Sequence, residues 1–117
     1  MPLNNAAMVV AANALRSAIT HMQLHSGDPG ASGTSNVTSA ERQAVSWAAA
    51  TSDGDFGLSA PVNFTGVAAS GAATYVSLWS ASSGGTWYGN FALSGDATAN
   101  AAGEYSVTAL NLNGSST

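Results

Sequence analysis

Residues 21–30, HMQLHSGDPG, hold both histidines of the chain and one of its four aspartates. His21 and His25 stand four apart, and Asp28 follows three later. Two imidazoles at that spacing could share a metal ion, or one could act as a general base oriented by the carboxylate. The same residues could also be a strand that runs into a turn. On a strand, His21, Gln23 and His25 point to one face and Met22 and Leu24 to the other. A metal site needs a third and a fourth ligand, and the chain has no further histidine and no cysteine. Asp28, Asp53, Asp55, Asp96 or Glu104 would have to supply them, and none stands at metal-ligand spacing. The expectation is therefore no metal and no cofactor. Met22 and Leu24 enter the core, His25 bonds loop backbone where the strand ends, and Asp28, Pro29 and Gly30 form the turn.

Other chemistry finds less support. There are many serines but no G-x-S-x-G elbow. Without cysteine or lysine there is no thiol nucleophile and no Schiff-base amine. Asp53 and Asp55 are the closest carboxylate pair, but TSDGDFG reads as a turn in which Asp and Gly set the backbone. A calcium loop would need further acidic ligands, and no phosphate-binding glycine pattern occurs. No enzyme is expected.

Composition excludes whole classes of partner. Charged residues make up 7% of the 117 residues, against about 25% in ordinary soluble domains. Arg16 and Arg42 are the only basic residues and the net charge is −4. Two cations cannot neutralise a run of phosphates, so no nucleic-acid partner is expected, and no anionic membrane surface either. A neutral surface of Ser, Thr, Asn, Gly and Ala suits close packing beside copies of itself. The N-terminal stretch lacks the basic region of a signal peptide, and its apolar run is too short and too interrupted to span a membrane. The N-x-S/T sequons at Asn36, Asn63 and Asn113 read as products of a Ser/Thr/Asn-rich chain.

The elements that must position these residues follow from periodicity. Residues 4–18 predict a helix, with Ala7, Val10, Ala14 and Ala18 on one stripe, Val9 and Leu15 beside it, and Asn4 or Asn5 as the cap. From residue 19 onward, short β-branched and aromatic runs alternate with Gly/Ser/Asp/Asn clusters. Strands are expected at 19–25, 42–48, 55–59, 61–65, 73–79, 86–93 and 104–112. SASSGG makes 73–79 and 86–93 a hairpin, and Pro61 makes 55–65 either an edge or two strands broken there. The expected fold is mainly β: a single-domain antiparallel β-sandwich or jelly roll of about seven to eight strands with one N-terminal α-helix. Residues 1–18 form the helix, 19–112 the sandwich and 113–117 a flexible tail. Most aromatics fall on strands as core. Trp87 and Tyr88 are adjacent and so face opposite ways, which places one of them outside. Val10 and Ala14 on the helix, with the Trp87/Tyr88 edge, are the candidate contact surfaces.

With these elements in place, the chain resembles a family of small virion proteins from phages that infect actinobacteria, described as head decoration, minor tail or tail-fibre-like proteins. The resemblance rests on Leu24–Gly30 (LHSGDPG), Arg42 before a short strand, Ser77–Ala81 (SLWSA), Gly84–Gly89 (GGTWYG) and Gly103–Val107 (GEYSV), in order and across nearly the whole chain. VTSAERQ departs from the glycine- and tyrosine-containing run that members carry before the basic residue. The resemblance implies a structural, non-enzymatic virion protein. The leading expectation is a head decoration protein on the outer shell, a homo-oligomer that binds the major capsid protein and copies of itself. It would be made in the host cytoplasm without a signal peptide. The alternatives are a minor tail or tail-fibre component that binds other tail proteins, and a carbohydrate-binding module that stacks sugar on Trp87.

Overall fold

The structure is a computed structural model that describes residues 4–51, 54–93, 97–108 and 110–112. The expected tail, 113–117, lies outside the described residues. The chain is mainly β, with eight strands in antiparallel pairings and one helix near the N-terminus. Helix α1 (Asn5–Ala18) begins where Asn4 Oδ1 accepts a hydrogen bond from the Ala7 amide at 2.9 Å. That bond satisfies one of the amides a helix start leaves free.

The main sheet contains β1 (His21–His25), β2 (Gln43–Ala44), β5 (Tyr75–Trp79) and β6 (Trp87–Ala92), in the order β2-β1-β5-β6. β5 and β6 form the expected hairpin. Its turn closes with the Ser80 amide bonded to the Thr86 carbonyl and the Thr86 amide to Ser80 Oγ. Two short pairs complete the fold: β3 (Phe56–Gly57) with β8 (Asn111–Leu112), and β4 (Val62–Phe64) with β7 (Tyr105–Val107). Met22, Leu24, Val76 and Leu78 come from one face of the main sheet. They share a buried cluster with Phe56, Val62, Phe64, Tyr105, Val107 and Leu112 from the two pairs. Each large side chain sealed there contributes about 1.5–3 kcal/mol through the water it sheds.

Two expected elements differ, and a third takes one of its two expected forms. The run 104–112 is two strands, because β7 pairs with β4 and β8 with β3. The run 42–48 keeps only Gln43–Ala44 as a strand, and Trp47 makes an isolated bridge to Leu58. The run 55–65 takes the second of its two forms, two strands separated at Pro61.

The helix leaves the candidate contact residues Val10 and Ala14 on its outer side. Ala12 is its buried residue, whereas Val10 is 70% exposed and Ala14 is exposed as well. What α1 covers is the segment after β2. Arg16 donates to the Trp47 carbonyl, Trp47 Nε1 donates to the Ile19 carbonyl, and Gly54 lies against Met8. Trp47 in turn meets Phe56 edge-on at 5.2 Å. Alanine occurs on every side of this helix, so the stripe of Ala7, Val10, Ala14 and Ala18 carries no larger driving force than the face through Met8, Ala12 and Ile19.

Candidate functional site

The strand residues Met22 to His25 are all buried, so both faces of β1 are covered. Met22 and Leu24 enter the core as expected. The other face carries Gln23 and His25 on β1 with Tyr75, Ser77 and Trp79 opposite them on β5. Irregular chain from residues 26–40 meets that polar face through Ser35 and Ala40, and its residues 36–38 run beside β1, bridged at His25↔Val37.

A relay of hydrogen bonds joins that chain to the polar face. His25 and Ser77 have 0% exposure. Trp79 Nε1 donates to Ser77 Oγ at 2.7 Å, and Ser77 Oγ lies 2.7 Å from His25 Nε2. His25 Nδ1 lies 2.8 Å from the Ser35 carbonyl. An indole N–H only donates and a carbonyl only accepts. The ends of the relay therefore fix its direction: Trp79 to Ser77, Ser77 to the unprotonated Nε2, and Nδ1–H to Ser35. Serine and histidine stand here at the distance of a nucleophile and its base. Because both are fully buried, solvent and substrate have no path to the pair, and the relay serves to hold chain.

Burial pushes the His25 imidazole below its ordinary value near 6.5. Bonds from the imidazole to the backbone of Ser35 and Asn36 pull it up by less, and the charge of Arg42 presses it down. In the unfolded chain the imidazole keeps the ordinary value, so between pH 6.5 and the lower folded value the unfolded state binds more protons. The contribution of His25 to stability is complete above pH 6.5 and declines as pH falls below it. Melting temperatures measured from pH 7.5 down to pH 5 are expected to fall across that window, with a shallower fall in His25→Phe.

The turn is built as the residues dictate. Asp28 Oδ1 accepts from the Gly30 amide at 2.9 Å, Pro29 is buried, and Gly30 takes φ +79°. Asn36 Nδ2 donates to the Asp28 carbonyl and the Ser35 amide to the Pro29 carbonyl, which closes 26–36 on itself. Gln23 Nε2 holds the Ala40 carbonyl at 3.1 Å. From β6, Asn90 Nδ2 holds the Gly30 carbonyl at 2.8 Å while its Oδ1 accepts from Trp87 Nε1. Gly33, at φ +71°, presses on the Trp87 ring so closely that an added Cβ would lie 2.5 Å from it. Trp87 is thus half-buried with a face covered, and the outward aromatic of the pair is Tyr88, 41% exposed. Gly33 thus occupies one face of the Trp87 ring.

Arg42 links this irregular chain to the hairpin. Its guanidinium carbon lies 3.9 Å from the centroid of the Trp79 ring, and Nη1 donates to the Ala81 and Gly84 carbonyls at 3.0 and 2.8 Å. Beside it runs a groove of about 510 Å³ lined by Gln23, Glu41, Arg42, Ser82, Ser83 and Gly84. A second groove, about 530 Å³, lies by the outward face of the β4–β7 pair, with Asn63, Thr65, Asn100, Glu104 and Ser106 in its lining. Among the described residues, no three His, Asp or Glu side chains converge to hold a metal ion, and no helix is long and apolar enough to cross a membrane.

His25–Gly30, Arg42, Ser77, Trp79 and Trp87, drawn from four of the motifs, therefore meet on the polar side of one sheet, while Leu24 and Leu78 of the same motifs face the core. Ser77, Gln23 and Asn90 were not singled out from the sequence. A serine in the middle of the apolar run YVSLW is the signal that would have marked one of them, since a polar group in a buried strand needs a partner.

No curated protein matches the chain. Residues 3–115 match the model of the family described as podophage GP4 fiber I protein gp80. With nearly its whole length inside that match, the chain belongs to this phage fibre protein family.

Proposed function

We propose that the chain is a non-catalytic building block of the phage particle that holds its neighbours through uncharged contacts. The observation that carries this reading is where its two arginines stand. Arg16 and Arg42 both bond the chain's own carbonyls, and the large apolar residues left outside include Val10 and Tyr88. Such a surface joins by shape and apolar area, with neither nucleic acid nor membrane as partner. The fibre named in the family's description supports a place in the tail, against other tail proteins. Decoration of the head, in contact with the major capsid protein, is the second reading. It is favoured by the low charge, which lets many copies crowd a shell without repulsion. An actinobacterial host belongs to the same proposal and rests on the motif resemblance.

Counting copies per purified particle tests it. A handful supports a fibre or tail tip, and hundreds support the head shell or tail tube. In either place the copies are expected to stay attached in high salt. Loss from the particle in moderate salt would show ionic attachment and overturn the reading.

A further inference from the structure

Among the described residues, β6 is an edge strand with no strand across its outer side. The order β2-β1-β5-β6 leaves its outer side unpaired, and it is the longest strand of the sheet. The Leu93 amide bonds the Thr74 carbonyl, and the β5–β6 register continues Tyr75↔Ala92, Val76↔Phe91 and Ser77↔Asn90. Peptide groups alternate sides along an antiparallel strand. Those of Phe91 and Leu93 therefore face β5, and those of Asn90 and Ala92 face outward. Among the described residues, no backbone or side chain bonds the outward N–H and C=O groups of Asn90 and Ala92.

Proteins usually blunt such an edge with lysine, proline or a covering segment. This strand has neither lysine nor proline, and no charged residue lies between Asp55 and Asp96. Its one irregularity is the bulge opposite Leu78/Trp79, at the far end from Ala92. Phe91 is only partly buried, on the core side of the sheet. An edge that is uncharged along its length cannot repel its own copy.

We propose that β6 pairs antiparallel with β6 of a second copy, about a twofold axis through Phe91. Asn90 of each copy then exchanges both backbone hydrogen bonds with Ala92 of the other. The two Phe91 side chains meet at the axis as a non-hydrogen-bonded pair, and two four-stranded sheets become one of eight. This deepens the proposed structural role by naming one of its contacts. The pairing covers less than the roughly 800 Å² per partner of a standard stable interface, so it fills at high local concentration, as in a particle.

The chain has no cysteine, which permits a direct trap. Across a non-hydrogen-bonded pair the Cα atoms lie about 4.5 Å apart, within disulfide reach. Under oxidised glutathione, Phe91→Cys is expected to form covalent dimer about tenfold faster than Ala69→Cys on an exposed loop, because pairing raises the local thiol concentration. Ala92→Pro removes an outward N–H and no bond to β5. By sedimentation it should stay monomeric at concentrations where the unaltered chain dimerises, with its melting temperature kept. Equal cross-linking rates for the two cysteine variants overturn the twofold, and a chain that stays monomeric throughout overturns the pairing. Association that survives Ala92→Pro assigns it to another surface, such as Val10 and Ala14, and overturns it too. Each of these results is read on the isolated protein. A chain found in particles that fails them loses the edge contact and keeps the virion role.

Discussion

His25→Ala is expected to lower the free energy of unfolding by about 3–5 kcal/mol, the range of large buried truncations that also strand polar groups. The imidazole is fully buried and bonded at both nitrogens. Its removal leaves a cavity, a Ser35 carbonyl with no donor and a Ser77 hydroxyl with no acceptor. Loop 26–36 should loosen at Ser35, which the imidazole holds, while the Ser26–Asn36 and Thr38–Leu24 bonds keep its end beside β1. Urea denaturation measures the loss, and amide exchange at Ser35 and Asn36 reports the loop. Ser77→Ala should cost less, about 2–3 kcal/mol, because it empties less space while orphaning the Trp79 indole N–H. The double variant should cost clearly less than the sum, since both changes break one relay. Full additivity would show that the relay is not a unit.

Arg42→Ala is expected to cost about 2–3 kcal/mol, from a stacking contact worth about 1 kcal/mol and two bonds to carbonyls worth about 1 kcal/mol each. The side chain lies over Trp79 and reaches both sides of the hairpin turn. Arg42→Lys should recover less than half of the loss. An ammonium keeps the charge but cannot lie flat on the ring while it donates in the ring's plane. A red shift in tryptophan emission should accompany Arg42→Ala as the Trp79 ring becomes wet. Unchanged stability and emission would mean that the clamp contributes nothing.

What could be read from the residues is what local chemistry decides. The Asn4 cap, the Asp28–Pro29–Gly30 turn, the break at Pro61 and the β5–β6 hairpin each depend on neighbours a few positions away. Antiparallel β class followed from period-two runs and spaced turns, and Met22 and Leu24 followed from strand alternation. The misreadings are of another kind. The division of 104–112 depends on partners in β3 and β4, some 40 to 56 positions earlier, and nothing within the run announces it. The buried face of α1, through Ala12, could not be told apart in a helix so even in its alanines. The partner of His25 was placed in loop backbone, which holds for Ser35. Its other nitrogen meets Ser77, 52 positions on, a partner that only the sheet register supplies. Tyr88 outside and Trp87 half-covered needed the glycine of another segment, Gly33, to decide between them.

The chain that meets the polar face is held in a particular currency. His25, Asn90 and Gln23 take hold of it through the carbonyls of Ser35, Gly30 and Ala40, and Arg42 holds the hairpin turn through those of Ala81 and Gly84. A carbonyl is the same whatever side chain its residue bears. The exposed positions Ala31, Ser32 and Thr34 are therefore exempt from the demands of the scaffold beneath them. At these three positions the sheet reads the loop's path and is blind to its lettering, whereas Pro29 and Gly33 beside them stay fixed by packing. A particle exposed to changing hosts gains from such an arrangement a place where outward composition can drift while the fold stays put, and an engineer gains a site for display.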